Sequence, residues 1–137
     1  MVILHKDNFT IEREQDVIFF RNRVKEMTVR IGLGMVSQTK LITAASELVR
    51  NMLNYAKGGV IKAEVLSHLT RTGIRLIFED KGPGIENIGL AMQEGFTTNK
   101  SLGLGLPGAR KLVDEFTIKS IVGEGTTVTI LMWKNGR

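Results

Sequence analysis

The chain has 137 residues, 42% hydrophobic and 24% charged, enough length for one domain with a real core and the balance of an ordinary globular protein. It has no cysteine, no apolar run near the roughly 18 residues of a membrane span, and in "MVILHKDNF" neither the charged start nor the long apolar core of a signal peptide, so a cytoplasmic location with no disulfides and no membrane partner is expected. The net charge of +5 raises a nucleic-acid partner, but Arg21, Arg23, Lys25 and Arg30 share a helix with Glu26, and no aromatic residues alternate with the bases to form a stacking platform, so solvated helix faces and no nucleic acid are expected.

In chain order, "FTIERE" at 9–14 alternates as a strand does. From Val17 to Ile31 the apolar spacing is helical (Val17, Phe20, Val24, Met27, Ile31), and Gly32 and Gly34 stop it. Ser37 can cap the next helix, which runs to about Ala56 with Leu41, Ala45, Leu48 and Met52 on its core stripe and Gly58 and Gly59 at its end. The period then changes to two: "VIKAEVLSH" (60–68) and "GIRLIFED" (73–80) read as a hairpin. Residues 81–105 are rich in Gly, Thr and Asn, with a short helical patch at 88–94. Pro107 suits the first turn of a helix over 106–116. "TIKSIVG" and "TTVTILMW" form a second hairpin around Gly123 and Gly125. The order β-α-α-β-β-loop-α-β-β, with mostly antiparallel strands and helices on one face, predicts an α+β two-layer sandwich, a single domain spanning 1–137.

Several residues stand out within that frame. Gly103, Gly105 and Gly108 run into a helix, and backbone that bare suits phosphate. They fit G-x-G-x-x-G, but "FTTNKSL" before them is not strand-like and they fall in the last third of the chain, against a dinucleotide fold. No phosphate-binding G-x-x-x-x-G-K-[ST] loop occurs. Glu47 and Asn51 lie one helical turn apart on the border of the apolar stripe, either as a functional pair or as a structural hydrogen-bonded pair. Asp80 continues the inward row Ile74, Leu76, Phe78. A carboxylate aimed at a core needs a partner; alternatively Asp80 starts the turn that "DKGPG" favours.

In this order, "ELVRN" on a helix, "EDKGPGI" off a strand end, "GLGLPG" at a helix start and "GEGTTVTI" opening the last strand resemble the motif boxes of the GHKL (Bergerat-fold) ATPase/kinase superfamily, which includes gyrase, chaperone ATPases, histidine kinases and mismatch-repair ATPases. The resemblance covers about residues 9–133. "AASELVRN", "EDKGPGI", "GFTTNKSLGLGLPGARKLVDEF" and "GEGT" look like the RsbT-like serine/threonine switch kinases of bacterial partner-switching and stressosome modules. Histidine kinases fit less well, because His5 and His68 lie in no phospho-acceptor context. The resemblance implies ATP and Mg²⁺ as cofactors. Asp80 would accept from the adenine amino group, Gly82 and Gly84 would give the base room, and Thr126 would reach it through its hydroxyl. Asn51 would supply an oxygen to Mg²⁺. Gly103, Leu104, Gly105 and Leu106 would hold the phosphates at a helix start. Residues 85–102 would form a lid, with Thr98 and Lys100 as phosphate contacts; Lys100 could equally be a solvated lysine. Glu47 would be the catalytic base. Tyr55 departs from the superfamily, many members of which carry His there.

The implied activity is phosphorylation of a STAS-domain antagonist or scaffold protein, followed by activation of a PP2C-type phosphatase. The alternatives are an anti-sigma factor that binds RNA polymerase sigma with kinase activity secondary, an ATPase without a protein substrate, and, last, a nucleic-acid binder.

Overall fold

A computed structural model describes residues 1–93 and 105–134. Nine elements follow one another: β1 (Val2–Ile11), α1 (Glu14–Ile31), α2 (Met35–Ala56), β2 (Gly59–His68), β3 (Arg71–Glu79), α3 (Ile88–Ala91), α4 (Gly105–Leu112), β4 (Glu115–Ile121) and β5 (Gly125–Trp133). The strands form one antiparallel sheet in the order β1-β2-β3-β5-β4. The helices cover one face of it, the α+β two-layer arrangement that the element order implies.

Strand register explains where the core sits. Phe9, Ile61, Phe78, Val128 and Ile118 stand opposite one another across all five strands. Successive side chains on a strand alternate faces, so rows of this kind turn one side of the sheet toward the helices. Phe20 on α1 meets this face edge-on, with ring centroids 5.2 Å from Phe9 and 5.9 Å from Phe78. Val17, Phe20 and Val24 of α1 and Leu41, Ala45, Leu48 and Met52 of α2 are buried against it. A smaller apolar cluster of Leu66, Leu131 and Trp133 lies apart from this core. There Arg71 stacks 4.2 Å from the Trp133 ring, and Arg75 bonds the buried Glu64 at 2.7 Å.

Element boundaries depart from the sequence expectations in several places. The first strand is Val2–Ile11, not 9–14, because it pairs with β2 along its length, from Val2 opposite Ser67 to Ile11 opposite Gly59. Its first half has little alternation to betray it. Helix α1 begins at Glu14, before its first apolar residue, because the Asp16 carboxylate accepts from the N–H groups of Glu12 at 2.9 Å and Arg13 at 3.0 Å and turns the chain there. Ser37 does not cap α2: the helix starts at Met35 with Gly34 at its N-cap and no side-chain cap. At the far end Lys57, not a glycine, takes the left-handed C-cap position with φ 60°. The helical patch predicted over 88–94 closes as Ile88–Ala91, capped by Asn87 Oδ1 on the N–H of Leu90 at 2.9 Å. Helix α4 ends at Leu112 rather than 116, because Glu115 and Phe116 pair with Leu131 and Ile130 in the sheet.

Candidate active site

The inward face of the sheet changes character at one end. One step beyond the row that contains Phe78, Val128 and Ile118 come Asp80, Thr126 and Ser120. Thr126 and Ser120 are opposed in β5 and β4, and the N–H of Asp80 donates to the Thr126 carbonyl at 3.0 Å. Apolar residues fill the earlier rows; three oxygen-bearing side chains fill this one. Where this polar row meets α2, the described residues line an open cavity of about 500 Å³, within the size range of small-molecule sites. Leu48, Met52, Phe78, Ile85 and Val128 give it apolar walls, and Asn51, Asp80 and Thr126 bring polar groups to it.

Asp80 sits just past the end of β3 and is half-buried. Its Oδ1 accepts from the N–H of Gly82 at 2.9 Å and from that of Thr126 at 3.2 Å. Among the described residues its Oδ2 has no partner, and Asp80 lines the cavity. The carboxylate is therefore both a turn-former and an acceptor offered to the cavity, which joins the two sequence alternatives.

The two glycines after it have structural reasons of their own. A Cβ on Gly82 would stand 2.6 Å from the Ala56 Cβ. Gly84 has φ +78°, and a Cβ there would stand 2.5 Å from the Ile121 carbonyl. Both let the loop pack tightly against α2 and the end of β4, and Gly84 also lines the cavity.

Glu47 and Asn51 lie one turn apart on α2, and both are half-buried. They are not bonded to each other. Asn51 lines the cavity, and its carboxamide has no hydrogen-bond partner among the described residues. Glu47 Oε1 accepts from the N–H of Gly105 at 2.8 Å. Gly105 opens α4 with φ +70°, so the carboxylate occupies a free N–H at a helix start, where anions are stabilised. Leu106 follows Gly105 on the cavity wall. Thr98, Lys100, Gly103 and Leu104 lie outside the described residues, as does the second half of the expected lid; its described half, through Leu90 and Ala91, borders the cavity.

Two features of the site escaped the sequence reading. Leu48, Met52 and Tyr55 line the cavity beside Asn51. Their helical spacing marks them as one face, but that stripe reads equally as core. Ser120 is the other. It shares the parity of Phe116 and Ile118 in β4, and that parity was the available signal.

Residues 36–135 match the family of histidine kinase-, DNA gyrase B- and HSP90-like ATPases, and the chain belongs to that family. Among individual relatives, it is 40% identical to the serine/threonine-protein kinase RsbT of Bacillus subtilis over 90% of this chain and 92% of that protein. It is 30% identical to the anti-sigma F factor of Clostridium kluyveri over 85% of this chain and 84% of that one. Among solved structures, one of the RsbU and RsbW domains of a Mycobacterium tuberculosis protein superposes with a TM-score of 0.65 at 22% identity, over 97% of this chain and 34% of that one.

Proposed function

We propose that this protein serine/threonine kinase uses Glu47 as the general base that takes the proton from a serine or threonine of a STAS-domain antagonist or scaffold protein, while ATP lies in the cavity between α2 and the sheet. The observation that carries this assignment is a pair of differently placed carboxylates, Asp80 on the cavity wall and Glu47 bonded to Gly105 of that wall. Asp80 offers an acceptor oxygen at the sheet end, and Glu47 stands at the opening of α4 on the Gly105 N–H. The first suits the amino group of adenine. The second is next to where a helix start would receive phosphates.

Phosphate oxygens would compete with the Glu47 carboxylate for the Gly105 N–H, and so leave the carboxylate available as a base. Gly84, Gly105, Leu106 and Thr126 complete the described part of the nucleotide site; Gly82 acts through packing on Ala56. Thr98, Lys100, Gly103 and Leu104 are proposed as its remaining phosphate contacts.

The donor set also fits Mg²⁺. Asn51 supplies an unpartnered amide oxygen at the cavity, and no group of three or more metal-ligating side chains occurs among the described residues. A hard cation that keeps waters and substrate phosphates suits a site with a single protein oxygen. When bound, Mg²⁺ would neutralise charge on the transferring phosphoryl group.

The RsbT and anti-sigma F relatives support a protein partner. A phosphate added to the substrate brings a charge of about −1.5 to −2 into the interface and releases the kinase. The freed kinase then binds and activates a PP2C-type phosphatase. A cytoplasmic location accords with this role; no helix among the described residues is long and apolar enough to cross a membrane. The anti-sigma F relatives favour a second role, sequestering RNA polymerase sigma, and recovery of sigma rather than a STAS protein with the tagged chain would decide for it.

Glu47→Gln tests the assignment. It keeps the shape of the side chain and an oxygen for Gly105, so ATP should still bind. Labelling of a co-encoded STAS-domain protein from γ-labelled ATP should slow by about 10² to 10⁴-fold. A rate within about threefold of the unmodified chain would remove Glu47 from the role of base.

A further inference from the structure

Ser120 stands behind the cavity wall and is hydrogen-bonded to two residues that line it, Thr126 and Ile85. Its Oγ lies 2.7 Å from Thr126 Oγ1, accepts from the N–H of Ile85 at 2.7 Å, and stands 3.2 Å from the Gly125 carbonyl. A hydroxyl has one proton and two acceptor sites. All three contacts are made at once in only one way. Ser120 donates to Gly125, and Ile85 and Thr126 both donate to Ser120. The proton of Thr126 is then committed away from the cavity, and Thr126 Oγ1 turns lone pairs alone toward it. Asp80 Oδ2, which has no partner among the described residues, is an acceptor as well.

We propose, on the nucleotide reading above, that Ser120 is a positioning residue that sets base specificity by holding Thr126 as an acceptor. The cavity end then offers acceptors only. It favours a purine with an exocyclic amino group, directly or through one water, and disfavours a 6-oxo purine, whose carbonyl would face lone pairs. Removing the Ser120 hydroxyl frees the Thr126 hydroxyl to rotate and donate, so the two bases become more alike. Ser120 touches no substrate in this scheme and acts through Thr126.

The test compares ATP with inosine triphosphate by isothermal titration on the full chain at fixed Mg²⁺. The unmodified chain should prefer ATP. Ser120→Ala should shrink the ATP-to-ITP preference by roughly fivefold, about the worth of one neutral hydrogen bond, and Ser120→Thr should restore it. In a Thr126→Val background, Ser120→Ala should leave the preference unchanged, because no hydroxyl remains to reorient. If Ser120→Ala does not fold, Ser120→Cys replaces it, being a weak donor and acceptor of similar size. An unchanged preference in the Ser120 variant overturns the proposal. So does an equal loss in the Thr126→Val background, which would reduce Ser120 to holding the rim at Ile85. An unmodified chain that binds neither nucleotide overturns the ATP site itself, whereas one that binds ATP with no preference over ITP overturns the specificity alone.

Discussion

Asp80 shows how a single side chain can hold two tasks at once. One carboxylate oxygen closes the turn by accepting two backbone N–H groups, and the other is left for the cavity. This division makes Asp80→Asn a sharp change. The amide's only oxygen is needed by Gly82 and Thr126, so its NH₂ must face the cavity. A donor would then meet the amino group of adenine. ATP binding should weaken by about 1.5 to 3 kcal/mol, the worth of a hydrogen bond to a charged group, while the fold persists. Isothermal titration with ATP on the folded variant measures it, and unchanged affinity would take Asp80 out of the base site. Glu47 is the complementary case, a carboxylate with a backbone partner that a phosphate could replace.

Among the elements, the join of β1 to α1 rests on charges as well as on Phe9. Arg23 of α1 bonds Asp7 of β1 at 3.0 Å and Glu26 at 3.1 Å, and His5 also meets Asp7 at 3.1 Å. Burial pushes the Asp7 carboxyl up, but the hydrogen bonds from His5 and Arg23 outweigh it and hold the group below its ordinary value. A carboxyl lowered in the folded state adds stability above its unfolded pKa of about 3.9. That contribution fades as pH falls through the lower folded value. Asp16, held low by the N–H groups of Glu12 and Arg13, acts in the same sense at the start of α1. Asp7→Asn should therefore lower the urea midpoint at pH 7 and leave it closer to that of the unmodified chain at pH 3. Equal losses at both pH values would assign the effect to packing rather than to ionisation.

Across the whole molecule, the two layers are clasped by one aromatic chain. Phe20 has no exposed surface and bridges Phe9 on the edge strand and Phe78 on the central one. Phe78 also lines the cavity, so the core and the site share a wall. Phe20→Ala would open a void that neighbouring helices fill only in part. It should cost about 3 to 5 kcal/mol, read as a fall in the urea unfolding midpoint. ATP affinity of the surviving folded fraction should fall too, because Phe78 loses its support. A loss below about 1 kcal/mol would mean that the layers close over the gap.

The sequence by itself determined the element order, the core faces and the motif set. Those depend on local information: a period of 3.6 or 2, a glycine at a break, a box at the right distance. Val17, Phe20 and Val24, and Ile74, Leu76 and Phe78, show their buried faces in spacing alone. Asp80 was legible for the same reason, since it extends such a row. The tertiary structure decided what depends on partners distant in the chain. The first half of β1 is a strand because β2 pairs with it, and α4 stops early because β5 claims Glu115 and Phe116. Glu47 and Asn51 look like a bonded pair by spacing, yet Glu47 turns to a backbone N–H 58 positions away. Ser120 joins the wall of the site only when β4 lies beside β5 and the N–H of Ile85 reaches its hydroxyl. A hydroxyl's direction is set by the groups around it, and those groups come from three separate segments of the chain.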